Sequence, residues 1–279
     1  MARANGSVKD QVPELRYRPS SKREYAVELP GFVYRLYERQ IRRSLSPEKL
    51  PTHIGVLVDG NRRWAKLAGA TTATGHQAGA DKILEFLDWC KELDINLVTL
   101  YMLSTDNMNR SSQELDDLMG IIANTLERLG ETKAVRVKPV GALELLPDYL
   151  ANKLRELEAS TAGINGVHVN VAVGYGGRRE IVDAVKALLL EGQAKGQDAA
   201  QIAAALDPDQ LAKHLYTSGQ PDPELVIRTS GEQRLSGFLT WQSAYSEFYF
   251  CEALWPDFRR VDFLRALRDF ADRQRRFGS

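Results

Sequence analysis

The sequence predicts a single α/β domain built on a six-stranded, mostly parallel sheet flanked by helices. Three observations carry that prediction. Short apolar runs rich in β-branched residues alternate along the chain with segments of helical spacing. Several of these runs stop at a glycine and a polar stretch, as parallel strands do where they leave the sheet. The chain has 279 residues, of which 43% are hydrophobic and 27% charged, enough for one large globular domain or at most two.

Residues 1–29 are polar, carry Pro13 and Pro19 and show no sustained period, which reads as a loosely held extension. From Phe32 a basic amphipathic helix follows, with Val33, Leu36, Tyr37 and Ile41 at helical spacing among Arg35, Arg39, Arg42 and Arg43. Residues 1–50 are therefore expected to be an N-terminal extension to the main domain over 51–279. The helix either docks on that domain or lies on an anionic membrane surface.

Ile54–Val58 has the length and composition of a buried parallel strand. It stops at Asp59, turns through Gly60 and Asn61, and leads into Arg62-Arg63-Trp64 as the first turns of a helix. Gly69–Gly75 reads as a small-residue loop, followed by a helix with Ile83, Phe86, Leu87 and Cys90 on one face. Asn96–Leu103 is the second strand, ending in a polar run from Ser104 to Arg110. Leu115, Leu118, Met119, Ile122 and Leu126 mark a helix, Val135–Val140 the third strand, and Leu150, Leu154 and Leu157 another helix. Val167 to Val173 alternate as the fourth strand, which runs into Gly174-Tyr175-Gly176-Gly177-Arg178-Arg179 and a further helix. Gly192–Gln201 reads as a polar linker before a short helix at Leu211 and Leu215. Leu225–Ile227 and Glu247–Phe250 are the last two strands, and Phe263, Leu267 and Phe270 lie on a final helix.

Ligands in such sheets bind beyond the carboxyl ends of the strands, so the polar runs after strands one, two, four and five converge on one rim. That rim collects Asp59, Asn61, Arg62, Arg63, Ser104, Asn107, Arg110, Arg178, Arg228, Arg234 and Ser236. Arginine binds phosphate bidentately, and arginines on several loops suit more than one phosphate group or one polyphosphate. A carboxylate among them calls for a hard cation such as Mg²⁺ beside the phosphate. Walker A and G-x-G-x-x-G sequences are absent, as are Ser-His-Asp and Cys-His arrangements. The four histidines lack metal-ligand spacing; His76, after Gly75, is a candidate phosphate donor. An apolar interior near Met102, Leu103, Met119 and Ile122 beneath such a rim suits an amphiphile with a charged head and a hydrocarbon tail.

Lys+Arg and Asp+Glu both number 37, so the charge balance points to no nucleic-acid partner. Cys90 and Cys251 form no C-x-x-C and read as free thiols in a reducing cytoplasm. No apolar stretch approaches the ~20 residues of a membrane span, and the first ten residues hold no apolar signal core.

The stretches HIGVLVDGNRRWA, GHQAGA, LYMLSTDNMNR, VAVGYGGRREI, LVIRTSGEQRLSGFLTWQSAYSEFYF, WPDF and RRFG together resemble the cis-prenyltransferases, or Z-isoprenyl diphosphate synthases. They span essentially all of Pro51–Gly278. The resemblance implies the fold of that family and a Mg²⁺-dependent addition of isopentenyl diphosphate to an allylic diphosphate with a new cis double bond. It implies that Asp59 handles Mg²⁺ and assists departure of the allylic diphosphate. Gly60, Asn61, Arg62, Arg63 and His76 match the allylic site, with Trp64, Thr72, Thr105, Asp106, Met108 and Arg110 as further substrate contacts. Arg228, Arg234, Leu235 and Ser236 match the isopentenyl site. Glu247 matches a second metal-site residue, expected to act across a homodimer. Asn107, with Ser104 nearby, matches the group that helps remove the proton; an amide is a poor base, so Asn107 is expected to orient the acceptor. Arg276-Phe277-Gly278 matches a C-terminal motif that reaches a neighbouring active site.

The chain departs from the family pattern at several positions. Thr72 stands where many members carry arginine, Gln233 where histidine is common, Gly174 for asparagine, Met108 for tryptophan and Ser111 for proline. Met102 replaces a small residue typical of long-chain members. With Leu103 it resembles the short-chain branch that makes Z,E-farnesyl diphosphate, since overfilling a packed channel costs ~1–3 kcal/mol. The alternatives are a long-chain polyprenyl diphosphate synthase, a non-catalytic partner subunit, and an enzyme that couples two prenyl units abnormally. Asp59, Arg228 and Arg234 argue against the partner subunit, and the two isopentenyl-site arginines against abnormal coupling.

Overall fold

The computed structural model describes residues 31–109 and 111–277. The extension expected over residues 1–29, Arg110, and the side chains of the Arg276-Phe277-Gly278 motif lie outside that description. Six strands form one sheet in the order β3-β4-β2-β1-β5-β6, and every pairing is parallel. The strands are β1 (His53–Leu57), β2 (Leu97–Ser104), β3 (Val135–Val140), β4 (Val167–Tyr175), β5 (Leu225–Arg228) and β6 (Glu247–Phe250). All five residues of β1 are buried, as a central parallel strand covered on both faces requires.

One face of the sheet packs on α3 (Thr72–Glu92), α4 (Ser112–Glu131), α5 (Asp148–Thr161) and α9 (Arg260–Phe277). Phe86, Trp255, Phe258 and Phe263 pack into an aromatic cluster there, with Phe86 edge-on to Phe263 at a centroid distance of 4.9 Å. The other face carries Leu57, Ala172, Tyr175 and Val226, covered by Phe238 and Leu239. Beyond these lie α6 (Gly177–Ala194), α7 (Ala199–Ala205) and α8 (Pro208–Ala212), with Ala184 of α6 packed on Leu211 and Leu215. The N-terminal helix α1 (Gly31–Ser44) docks on the body, with Ile41 buried against Val261 and Leu264 of α9. No helix among the described residues is long and apolar enough to cross a membrane.

The segments that differ from the sequence reading include two expected loops. The loop expected at Gly69–Gly75 ends early, because the Thr71 side chain accepts from Thr74 N and caps α3 at Thr72. Gly75 sits in that helix because it must: a Cβ there would lie 2.3 Å from Asn61 O. The polar linker expected at Gly192–Gln201 is largely helical. α6 runs on to Ala194, and Asp198 with Gln201 closes a capping box that starts α7.

The β2–β4 pairing slips twice. Between Tyr101 and Leu103 strand β2 carries one extra residue, Met102, and β4 recovers register with Gly174. Such a bulge re-aims a side chain and suits the end of a strand beside a ligand site.

Candidate active site

The carboxyl ends of β1, β2 and β5 open onto a cavity of about 450 Å³. Asp59 stands at its mouth, two residues past β1. Its backbone is pinned on two sides: Asp59 N donates to Thr229 Oγ1 at 3.1 Å, and Asp59 O accepts from Thr229 Oγ1 at 2.8 Å and Trp255 N at 3.0 Å. Gly60 follows at φ +108°, where a Cβ would press to 2.9 Å from Leu254. The helix that begins at Asn61, α2 (Asn61–Leu67), is only seven residues long, so arginine side chains rather than a long helix dipole dominate the positive charge here.

Arg228 ends β5 beside Asp59. It donates to Asp59 Oδ2 at 2.8 Å and to Ser236 Oγ at 3.0 Å, and also bonds Arg234 O. The guanidinium is 4% exposed while the Asp59 carboxylate is 43% exposed, so the pair is a buried cation presenting a solvent-facing acid. Arg63 donates to Ser230 O at 2.7 Å and lies 3.8 Å from Glu232, which also pairs with Arg234. Arg62 lies 3.5 Å from Glu114 at the start of α4. The backbone of this loop is strained: Ser230, Ser236 and Leu239 hold φ of 79°, 50° and 45°.

Below the mouth the lining turns apolar. His76, Gly79, Ala80 and Ile83 of α3 face Leu118, Ile121, Ile122 and Thr125 of α4, each set at i, i+3, i+4, i+7 spacing. Met102, placed by the bulge, completes the wall on the sheet side with Val58. Asn61 leans on Gly79, whose missing Cβ leaves room for it. A charged mouth over an apolar interior is the arrangement for an anionic head and a hydrocarbon tail.

The cavity therefore gathers Asp59, Gly60, Asn61, Arg62, Arg63, His76, Met102, Ser104, Asp106, Asn107, Arg228, Arg234 and Ser236. The Ser104 hydroxyl accepts from Asn107 N at 3.1 Å, which fixes the turn carrying Asn107. Among the gathered residues, His76 lies within the second turn of α3 rather than before a helix. Other expected site residues stand elsewhere. Trp64 donates from Nε1 to Asp257 at 2.8 Å, and Trp64, Thr72 and Met108 are absent from the cavity wall. Thr105 and Leu235 line an adjoining recess of about 430 Å³ with Arg178, Arg179 and Thr240. Leu103 is fully buried in the main core with Met119 and does not reach the cavity. Glu247 begins edge strand β6, in register with the start of β5, and pairs with Arg273 at 2.7 Å. One chain thus keeps Glu247 at the far end of β5 from Arg228 and Asp59.

The sequence reading missed Tyr101, Ile83, Ile121, Thr125 and Glu232 as lining residues. The helix faces carry the signal for three of them, but apolar residues at helical spacing read first as core. Tyr101 stacks on Phe238 at 4.8 Å, and burial pushes its hydroxyl pKa up to about 12. No group of three or more His, Cys, Asp or Glu among the described residues could hold a metal by itself. The site nonetheless fits Mg²⁺ shared with a ligand: Asp59 is a hard oxygen donor at the cavity mouth, and Mg²⁺ binds through one or two carboxylates plus substrate phosphates.

The family model of the undecaprenyl diphosphate synthases, Prenyltransf, matches residues 57–278. A (2Z,6E)-farnesyl diphosphate synthase of Thermobifida fusca is 59% identical, over 88% of this chain and 97% of the relative. An isoprenyl transferase 1 of Streptomyces avermitilis is 56% identical, over 90% and 98%. Among solved structures, lavandulyl diphosphate synthase from Lavandula x intermedia, in complex with dimethylallyl diphosphate, superposes with a TM-score of 0.75 at 34% identity. That match covers 80% of this chain and 96% of the other.

Proposed function

The chain belongs to the undecaprenyl diphosphate synthase family of prenyltransferases, and from that premise we propose that it joins isopentenyl diphosphate to geranyl diphosphate, giving a short Z-prenyl diphosphate such as Z,E-farnesyl diphosphate. The observation that carries this reading is the contiguity of the Asp59–Arg228 pair with an apolar cavity narrowed by Met102.

In the reaction the allylic carbon–oxygen bond breaks, a carbon–carbon bond forms to the isopentenyl unit, and a proton leaves that unit. Arg62 and Arg63 neutralise the allylic diphosphate at the mouth, with His76 and the Gly60–Asn61 turn around it. Arg234 and Ser236, organised by Arg228, receive the isopentenyl diphosphate. Asp59 would hold Mg²⁺, which when bound stabilises charge building on the departing diphosphate. Asn107, held in its turn by Ser104, orients the proton acceptor, for which the released diphosphate is suited. The hydrocarbon tail lies between α3 and α4.

A homodimer is part of this reading. Tyr245 is 99% exposed, Phe250 on edge strand β6 is exposed, and Val182, Val185 and Leu189 leave an apolar stripe on α6. Glu247 would serve a site completed by the second copy. The enzyme acts from the cytoplasm. A long-chain product is disfavoured by Met102 on the wall, and a non-catalytic role by Asp59 and Arg234 at the mouth.

Incubation with labelled isopentenyl diphosphate and geranyl diphosphate, followed by product sizing, tests the assignment. The wild type is expected to stop at about fifteen carbons, and Met102→Ala to lengthen the product, because removing a side chain from the wall relieves overpacking of ~1–3 kcal/mol. An unchanged product length would contradict the role of Met102; no condensation product at all would contradict the function.

A further inference from the structure

Arg228 and Thr229 are consecutive residues, and both hold Asp59. Arg228 takes the carboxylate, donating to Oδ2 at 2.8 Å. The Thr229 hydroxyl takes the backbone, accepting from Asp59 N at 3.1 Å and donating to Asp59 O at 2.8 Å. It has one proton to give, and its other carbonyl contact, Leu57 O, is longer at 3.2 Å. Thr229 is fully buried, and its loop is tied to the chain that follows β6. Cys251 N donates to Arg228 O at 2.8 Å, and Ser230 N donates to Ala253 O at 2.7 Å.

Asp59 does not need Thr229 to stay paired. Asp59 N also donates to Leu57 O at 2.9 Å, and Asp59 O also accepts from Trp255 N at 3.0 Å. What the hydroxyl adds is position. The ladders of β1 end at Leu57, so Asp59 lies beyond the sheet's own restraint. Gly60 follows at φ +108°, a residue free to turn either way. The Asp59 carboxylate is half exposed, so packing does not fix it either. Displacing a reacting group by ~1 Å costs about 10²-fold in rate.

We infer that Thr229 is a positioning residue for the condensation: its buried hydroxyl locks the Asp59 backbone so that the carboxylate meets Arg228 and faces the departing diphosphate. The inference rests on the proposed role of Asp59. It makes residues 228 and 229 one device, which sets the acid of the allylic site from the strand that carries the isopentenyl site.

The test is steady-state kinetics with geranyl diphosphate, labelled isopentenyl diphosphate and Mg²⁺. It compares wild type, Thr229→Val, Thr229→Ser, Asp59→Ala and the double variant Asp59→Ala/Thr229→Val, with a melting curve for each. Valine keeps the shape and leaves both Asp59 backbone groups a partner, so the fold is expected to hold. Its kcat should fall about 10–100-fold, while KM for isopentenyl diphosphate stays within about threefold. Serine keeps the hydroxyl and should restore kcat to within about threefold of wild type. In the Asp59→Ala background the valine should cost nothing further, because a residue that acts through Asp59 has nothing left to position. A folded Thr229→Val with wild-type kcat overturns the inference. So does a serine variant as slow as valine, or the full valine loss repeated in the Asp59→Ala background. If Thr229→Val does not fold, Thr229→Ala is judged by the same criteria. A wild type that condenses nothing, or an Asp59→Ala variant as fast as wild type, would instead sink the proposed function, which separates the two failures.

Discussion

The two ends of the central strands bury polar groups in opposite ways. At the amino end, His53 Nδ1 meets Pro221 O at 2.7 Å and Nε2 meets Thr99 Oγ1 at 2.8 Å. Thr99 accepts from Asn170, which exchanges two hydrogen bonds with Gln220. That network is closed on itself, and desolvation holds His53 neutral with its pKa lowered to about 4. At the carboxyl end, Arg228 Nε and Asn61 Oδ1 are buried without protein partners, and three non-glycine residues after β5 hold left-handed backbone conformations. Satisfied polar groups fix a fold, whereas unsatisfied ones and strain concentrate where a ligand completes the arrangement. One sheet thus anchors at one end and binds at the other.

If that contrast holds, Arg228→Met should lower kcat/KM by about 10²–10³-fold, the scale of losing a group aimed at developing charge. Steady-state kinetics would show it, with circular dichroism showing the fold retained. An equal loss on replacing His53 would erase the distinction between the ends. Instead His53 should govern acid stability. Its folded pKa lies below its ordinary 6.5, so the unfolded chain binds the extra proton. Stability is therefore full above about pH 6.5 and declines as the pH falls toward 4, by up to about 3 kcal/mol. Urea unfolding of wild type and His53→Gln across that window measures it, and the variant should show a flatter profile. The smallest effect belongs to the strained loop. Ser230→Gly should stabilise by about 0.5–1 kcal/mol, since glycine relieves a left-handed penalty of ~1–2 kcal/mol but loses more entropy on folding. A raised melting temperature with the Arg63–Ser230 O bond retained would sharpen the assignment of strain to this loop.

The sequence was legible where local pattern and tertiary role agree. Val135–Val140 and Glu247–Phe250 read as strands with the bounds they have, because alternating valines in the one and aromatic residues in the other, between turn signals, leave few other states. The clustering of Asp59, Arg62, Arg63, Arg228 and Arg234 followed from a parallel sheet and the positions of its loops. It failed where a residue serves a distant contact. Gly75 signals a loop locally, yet it sits in α3 to admit the backbone of Asn61. The bulge at Met102 depends on a compensating slip at Gly174, 72 residues later, which no local window contains. Leu103 sits beside Met102 in sequence and was expected on the wall; the bulge separates them, leaving Leu103 in the core. Ile83 and Thr125 look like any buried helix face, and only the facing of α3 on α4 reveals that they line the cavity.

The most direct measurement is turnover of labelled isopentenyl diphosphate with geranyl diphosphate and Mg²⁺ by wild type and Asp59→Ala, with products sized. The wild type should form a short Z-prenyl diphosphate, and the variant should fall about 10²–10³-fold while remaining folded. Equal turnover by the two would contradict a condensation organised by the acid at the mouth of this cavity.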